Sequence, residues 1–171
     1  MDYYKKLVIR ISLALLLLLV PINIFYFIFL KPTLLLSFIT LNAYNPTVIS
    51  DSLIINNEIL RFVPACIATS AYYLLVILIL LTKDLKFGKA LKLFLVGAFV
   101  IFIANIARID LLVIALLEFG IEWFDRLHLF IWEFLSTIFI AILWIFLTRK
   151  FDIKTIPAYS DLRYLMKESR K

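Results

Sequence analysis

Apolar residues run through this chain in blocks, and charged residues punctuate the blocks. Residues 11–30 carry no charge and follow Lys5, Lys6 and Arg10. Residues 63–82 form a second uncharged block. A third, 93–117, begins after Lys92 and is interrupted by Arg108 and Asp110, and a fourth, 128–148, contains Glu133. Twenty helical residues rise about 30 Å, the thickness of the hydrocarbon core of a bilayer. No block alternates with the period of two that a barrel strand requires. The pattern predicts an all-α integral membrane bundle of about four transmembrane helices. The first block resembles a signal peptide, but its apolar run is too long and no small-x-small cleavage site follows. An uncleaved anchor is expected.

Between the blocks the pattern changes. Residues 31–62 are too many for a simple turn. Thr33 to Ala43 has the character of an interfacial helix, with Pro46 marking a break. Val48 to Ile55 and Glu58 to Val63 read as two short strands of a β-hairpin, turned at Asn56-Asn57 because asparagine tolerates positive φ. A short segment, Glu118 to Leu127, carries Glu118, Glu122 and Asp125. From Lys92 to Glu118 a continuous helix would rise about 39 Å. Either it tilts and protrudes, or it breaks near Asp110 and lays Leu111 to Phe124 across the bundle as an interfacial lid. Residues 1–150 read as one domain and 151–171 as a basic tail. In that tail Ser160 or Asp161 would cap a short helix to Glu168, attracted to anionic lipid.

Composition agrees with the membrane reading: 64% of the 171 residues are apolar and 18% charged, too much apolar surface for a soluble core of this length. One cysteine excludes an internal disulfide or a Cys-x-x-Cys redox pair, and one histidine excludes bis-histidine haem ligation and His-rich metal sites. Glycines at 88, 97 and 120 cannot form a phosphate loop. No metal or cofactor is expected. The net charge of +6 would suit a nucleic-acid partner, but 14 of the 18 basic residues fall before the first block, between the second and third, or after the fourth. That asymmetry is the positive-inside signal. It predicts a multi-pass protein of the cell membrane with both termini cytoplasmic, residues 31–62 outside, and no nucleic-acid partner.

Ionisable residues inside a bilayer cost about 2.5 to 3.5 kcal/mol on insertion scales, so Arg108 calls for a partner or a function. Sixteen residues beyond Lys92 it is about 24 Å up the helix, roughly 6 Å below the outer edge. Glu133, five residues after His128, is about 7.5 Å below that edge. The two are candidates for an ion pair, with Asp110 a competing partner. Cys66 sits near the outer end of the second block and His128 at the outer end of the fourth. The thiol, the imidazole and the guanidinium therefore share one layer near the outer surface. A thiol, a base to take its proton and a cation to steady a thiolate or oxyanion suit nucleophilic catalysis. Each also has a structural explanation: a packed cysteine, an interfacial histidine, a structural ion pair.

Val63-Pro64-Ala65-Cys66-Ile67-Ala68, then Asn105-Ile106-Ala107-Arg108-Ile109, then His128, resemble the archaeosortase/exosortase family of membrane cysteine transpeptidases. The order and approximate spacing match from Leu53 to Trp144, roughly half the chain. Many relatives follow the cysteine with Ser/Thr-Gly, whereas Cys66 is followed by Ile67-Ala68, and Thr69 and Ser70 are displaced by one helical step. The resemblance implies secreted protein substrates with a C-terminal motif, a transmembrane helix and a basic tail. It implies cleavage near the motif, a thioester on Cys66, and transfer of the new C-terminus to a lipid amine or similar acceptor. His128 would be the general base, and Arg108 would steady the thiolate or hold the oxyanion. Asn105, on the same helix face as Arg108, would orient the guanidinium or make a helix–helix hydrogen bond, and Glu133 would orient Arg108. The alternatives are a non-enzymatic tetraspan assembly factor or scaffold and a small transporter, although neither a broken-helix pair nor an inverted repeat supports the transporter.

Overall fold

The computed structural model describes residues 3–19, 23–131 and 135–153, together with Pro157, Tyr159, Asp161 and Met166. Among them the chain forms six α-helices and one small sheet: α1 (Tyr3–Leu19), α2 (Asn23–Thr40), β1 (Thr47–Ile49), β2 (Ser52–Ile55), β3 (Glu58–Arg61), α3 (Thr69–Leu81), α4 (Phe87–Phe119), α5 (Ile121–Phe130) and α6 (Ser136–Lys150). The protein is mostly helical, as the apolar blocks imply.

Among the described residues two helices, α2 and α4, are by themselves long and apolar enough to cross a membrane, where the sequence pattern predicts about four spans. The predicted first span, 11–30, is divided between α1 and α2. The helix of residues 33–43 does not stand alone, because α2 runs through Pro32 to Thr40. The second block yields only 13 helical residues, since Pro64–Ile67 forms a 3-10 turn and α3 starts at Thr69. The start of the fourth block belongs to α5, and α6 has 15 residues. Helix α4 is continuous through Asp110 for 33 residues, about 50 Å, so the chain does not break there and no lid forms over 111–124. It turns instead at Gly120, whose φ of 83° suits glycine, and α5 packs back against α4. Of the tail helix, only Tyr159, Asp161 and Met166 are described. Asp161 forms an ion pair with Arg10 of α1 at 2.7 Å.

The sheet is antiparallel in the order β1-β2-β3. The expected hairpin joins β2 to β3 through Asn56 and Asn57, with φ of 49° and 69°. The pair of positive values matches the right-handed twist of the strands. The first expected strand is folded once more, at Ser50-Asp51, with Ser50 at φ 56°, so β1 and β2 pair with each other. Leu53 and Ile55 point inward from β2 and join Leu34, Leu41, Phe62, Ile67, Ile109 and Val113 in one apolar cluster. Below it a second cluster unites α3, α4 and α6 around Tyr72, Leu75, Leu93, Ile101, Leu143 and Leu147. Tyr72 stacks on Phe29 of α2 with ring centroids 4.2 Å apart.

Candidate active site

Cys66 lies in the 3-10 turn between the sheet and α3. Pro64 fixes φ at the turn's first position, and the Cys66 N–H donates to Val63 O at 2.8 Å. The turn ends at Ala68, which adopts the left-handed conformation (φ 54°, ψ 36°). A side chain with a Cβ is uncommon there and costs about 1 kcal/mol or more. The Thr69 hydroxyl donates to Pro64 O at 3.1 Å. None of this is visible in the residue types, apart from the proline.

Two residues of α4, three apart and so on one face, hold this turn. Asn105, 4% exposed, donates from Nδ2 to Cys66 O at 2.8 Å. Arg108 donates from Nη2 to Ala65 O at 2.9 Å and to Cys66 O at 3.2 Å. Asn105 thus meets Arg108 through a shared carbonyl oxygen. Among the described residues no carboxylate pairs with Arg108, and its Nε is buried without a partner. Asp110 is two residues on, about 200° round the helix, and lies beside Thr40 of α2. It is not the partner of Arg108. Glu133 lies outside the described residues.

His128 occupies the last turn of α5 rather than the start of a span. It is half-buried, with Phe124 edge-on at 5.5 Å. Cys66, Arg108 and His128 all line one cavity of about 420 Å³, walled by β3, Leu112 and Leu116 of α4, and Ile121 and Phe124 of α5. No hydrogen bond links His128 to Cys66 in this conformation. The Cys66 Sγ contacts Arg61 O at 4.0 Å. On the other side of Arg108 a smaller cavity of about 120 Å³ is lined by Ala68, Ala71, Ala104, Asn105 and Ser136 among others.

No family model, curated protein or solved structure matches the chain. Its chemistry rests on its own residues.

Around the cavity mouth, Arg61 of β3 pairs with Asp51 at 3.2 Å. That hydrogen bond holds the Asp51 carboxyl below the ordinary carboxylate range. The Tyr26 hydroxyl donates to Phe62 O at 2.8 Å, tying the end of β3 to α2. Sequence reasoning brought out the three reactive side chains but missed Ala68, the Arg61 carbonyl and Phe124. The first two act through backbone, which side-chain chemistry does not announce.

Proposed function

We propose that this chain is a membrane cysteine transpeptidase of the archaeosortase/exosortase kind. The observation that carries this reading is that one cavity is lined by its single cysteine, its single histidine and the Arg108 guanidinium, drawn from three separate elements. Ala68 adds support. It is left-handed two residues after the cysteine, where the family's pattern carries glycine, the residue that adopts this conformation without strain.

In this proposal His128 takes the Cys66 proton and the thiolate attacks the scissile carbonyl. Arg108 steadies the resulting oxyanion. The C–N bond breaks, the proton on His128 passes to the leaving amine, and a thioester remains on Cys66. An acceptor amine then attacks the thioester, and the thiol is restored. His128 reaches Cys66 by movement of α5 about Gly120. The chain crosses the cell membrane four times: α1 with α2, α3 with its preceding turn, α4, and α5 with α6. Both termini are cytoplasmic and the cavity opens near the outer face. Substrates are secreted proteins with a C-terminal motif, a membrane helix and a basic tail, and a lipid amine is a candidate acceptor.

The test compares surface proteins from cells carrying the wild-type chain or Cys66→Ala, reading their C-termini by mass spectrometry. Retention of a C-terminal membrane helix only in the mutant is the expected result. A scaffold reading draws on one observation, that Asn105 and Arg108 spend donors on backbone carbonyls. Under it every C-terminus is unchanged, and Cys66 reacts with an impermeant thiol reagent no more slowly in His128→Ala than in wild type.

A further inference from the structure

Strand β3 is one of the two edge strands of the sheet, and the one that faces the cavity. Its partner on one side is β2, and among the described residues no strand covers the other side. The register fixes which backbone groups are left over. The Phe62 N–H donates to Asp51 O, so by the alternation of an antiparallel ladder Leu60 and Glu58 also bond towards β2. The N–H and C=O of Ile59 and Arg61 then point away from the sheet. The Arg61 carbonyl confirms this direction, because it is the group that faces the Cys66 thiol at 4.0 Å. Ile59 is 69% exposed. The same strand forms one wall of the cavity shared by Cys66, Arg108 and His128.

These free groups repeat every second residue, about 6.7 Å apart, and an added strand would run about 4.8 Å from β3. The thiol lies 4.0 Å from the Arg61 carbonyl oxygen, on the side that an added strand would occupy. The groups left open are those of a ladder, and an extended peptide backbone is the ligand that satisfies them in register. We propose that β3 binds the substrate as a fourth strand, pairing with Ile59 and Arg61 and laying the scissile peptide across Cys66. A peptide N–H replaces the long, weak contact from the thiol to Arg61 O. The proposal rests on the transpeptidase reading for its substrate class, but the pairing itself needs only an accessible thiol.

The test uses two probes with one warhead on the full-length protein in detergent: methyl vinyl sulfone and acetyl-Val-Thr-Val vinyl sulfone. In each, the thiolate adds to the β-carbon, the C–S bond forms and the α-carbon takes a proton. In wild type the peptide probe should alkylate Cys66 roughly tenfold faster than the small one, since two or three backbone hydrogen bonds contribute a factor of about two to five each. Ile59→Pro removes an N–H that faces outward and leaves the ladder to β2 intact. It should abolish the acceleration, read as the ratio of the two probes' rates on the same variant. N-methylating the peptide should do the same on the unaltered protein, which decides the matter if Ile59→Pro disturbs the fold. Acceleration that survives N-methylation, or its absence from wild type, overturns strand pairing. The enzyme reading fails separately, by a methyl vinyl sulfone rate that does not change in His128→Ala.

Discussion

Replacing Asn105 by leucine removes one of two side-chain donors from the Cys66 carbonyl and leaves Arg108 Nη2 in place. Leucine is close to asparagine in shape, and Asn105 Oδ1 is itself buried without a partner, so no large cavity or new orphan is created. The single change should cost at most about 1 kcal/mol, the net value of one hydrogen bond. Arg108→Met is also buffered, because Ala65 O still accepts from the Ala68 N–H at 3.3 Å and Cys66 O keeps Asn105. The double variant is different. No backbone donor reaches Cys66 O among the described residues, so the carbonyl is stranded at a cost of about 1 to 3 kcal/mol beyond the sum of the two singles. The loss of a buried charge in Arg108→Met shifts one single variant but cancels in the cycle. Unfolding by SDS in mixed micelles, followed through the three tryptophans, gives all four stabilities. Additivity within about 0.5 kcal/mol refutes the shared-carbonyl geometry.

At Ala68, glycine should be tolerated or stabilising by up to about 1 kcal/mol, while Ala68→Val should destabilise, because a β-branched residue is poorly accommodated at φ 54°. A valine variant as stable as wild type in the same titration would mean the left-handed turn is absent. A Cβ on Gly97 would stand 2.7 Å from Leu75 Cδ2 and 3.1 Å from Leu147 Cδ1, and both leucines are almost fully buried. Gly97→Val should therefore lose about 1 to 3 kcal/mol by overpacking, seen as a lower melting temperature. The Asp51 carboxyl is stabilised in its ionised form by Arg61. Its contribution to the sheet is present above the ordinary value of 3.8 and disappears as pH falls through the depressed folded value. Amide protection in the β2–β3 ladder should be flat from neutral pH down to that range and then fall, and Arg61→Ala should remove the step.

The β2–β3 hairpin was legible because Asn56-Asn57 states its own backbone geometry. The apolar stretch of α4 was legible in residues 93–117, but its continuity was not, because Asp110 offered a break that the structure does not make. Depth arithmetic put Cys66, Arg108 and His128 in one layer by starting a span at His128; that residue instead ends α5, and the chain's turn at Gly120 brings it to the cavity that the other two line. Other features left no such mark. Ser50-Asp51 turns without glycine or asparagine, so one strand was read where there are two. Helix α5 was hidden because Glu122, Asp125 and Arg126 suggested a loop, while they occupy the exposed positions of a helix whose Phe124 and His128 turn inward. The 3-10 turn at Cys66 shortens α3 through Pro64 and tertiary hydrogen bonds that no local window contains. The rejection of Asp110 as the partner of Arg108 was available in advance, since residues two apart on a helix face away from each other.

The guanidinium of Arg108 has two claims upon it. At rest it serves Ala65 O and Cys66 O, and those bonds keep the thiol-bearing turn from winding into the start of α3. Under the transpeptidase proposal, an oxyanion in the cavity would draw on the guanidinium donors that these two bonds leave unused. The two carbonyls fix where the cation sits, while the Thr69 hydroxyl, Asn105 and the turn's own backbone bonds share the work of holding the turn. The cation is therefore placed by the backbone of the turn that carries the thiol, so a mutation that shifts the turn moves the thiol and the guanidinium together.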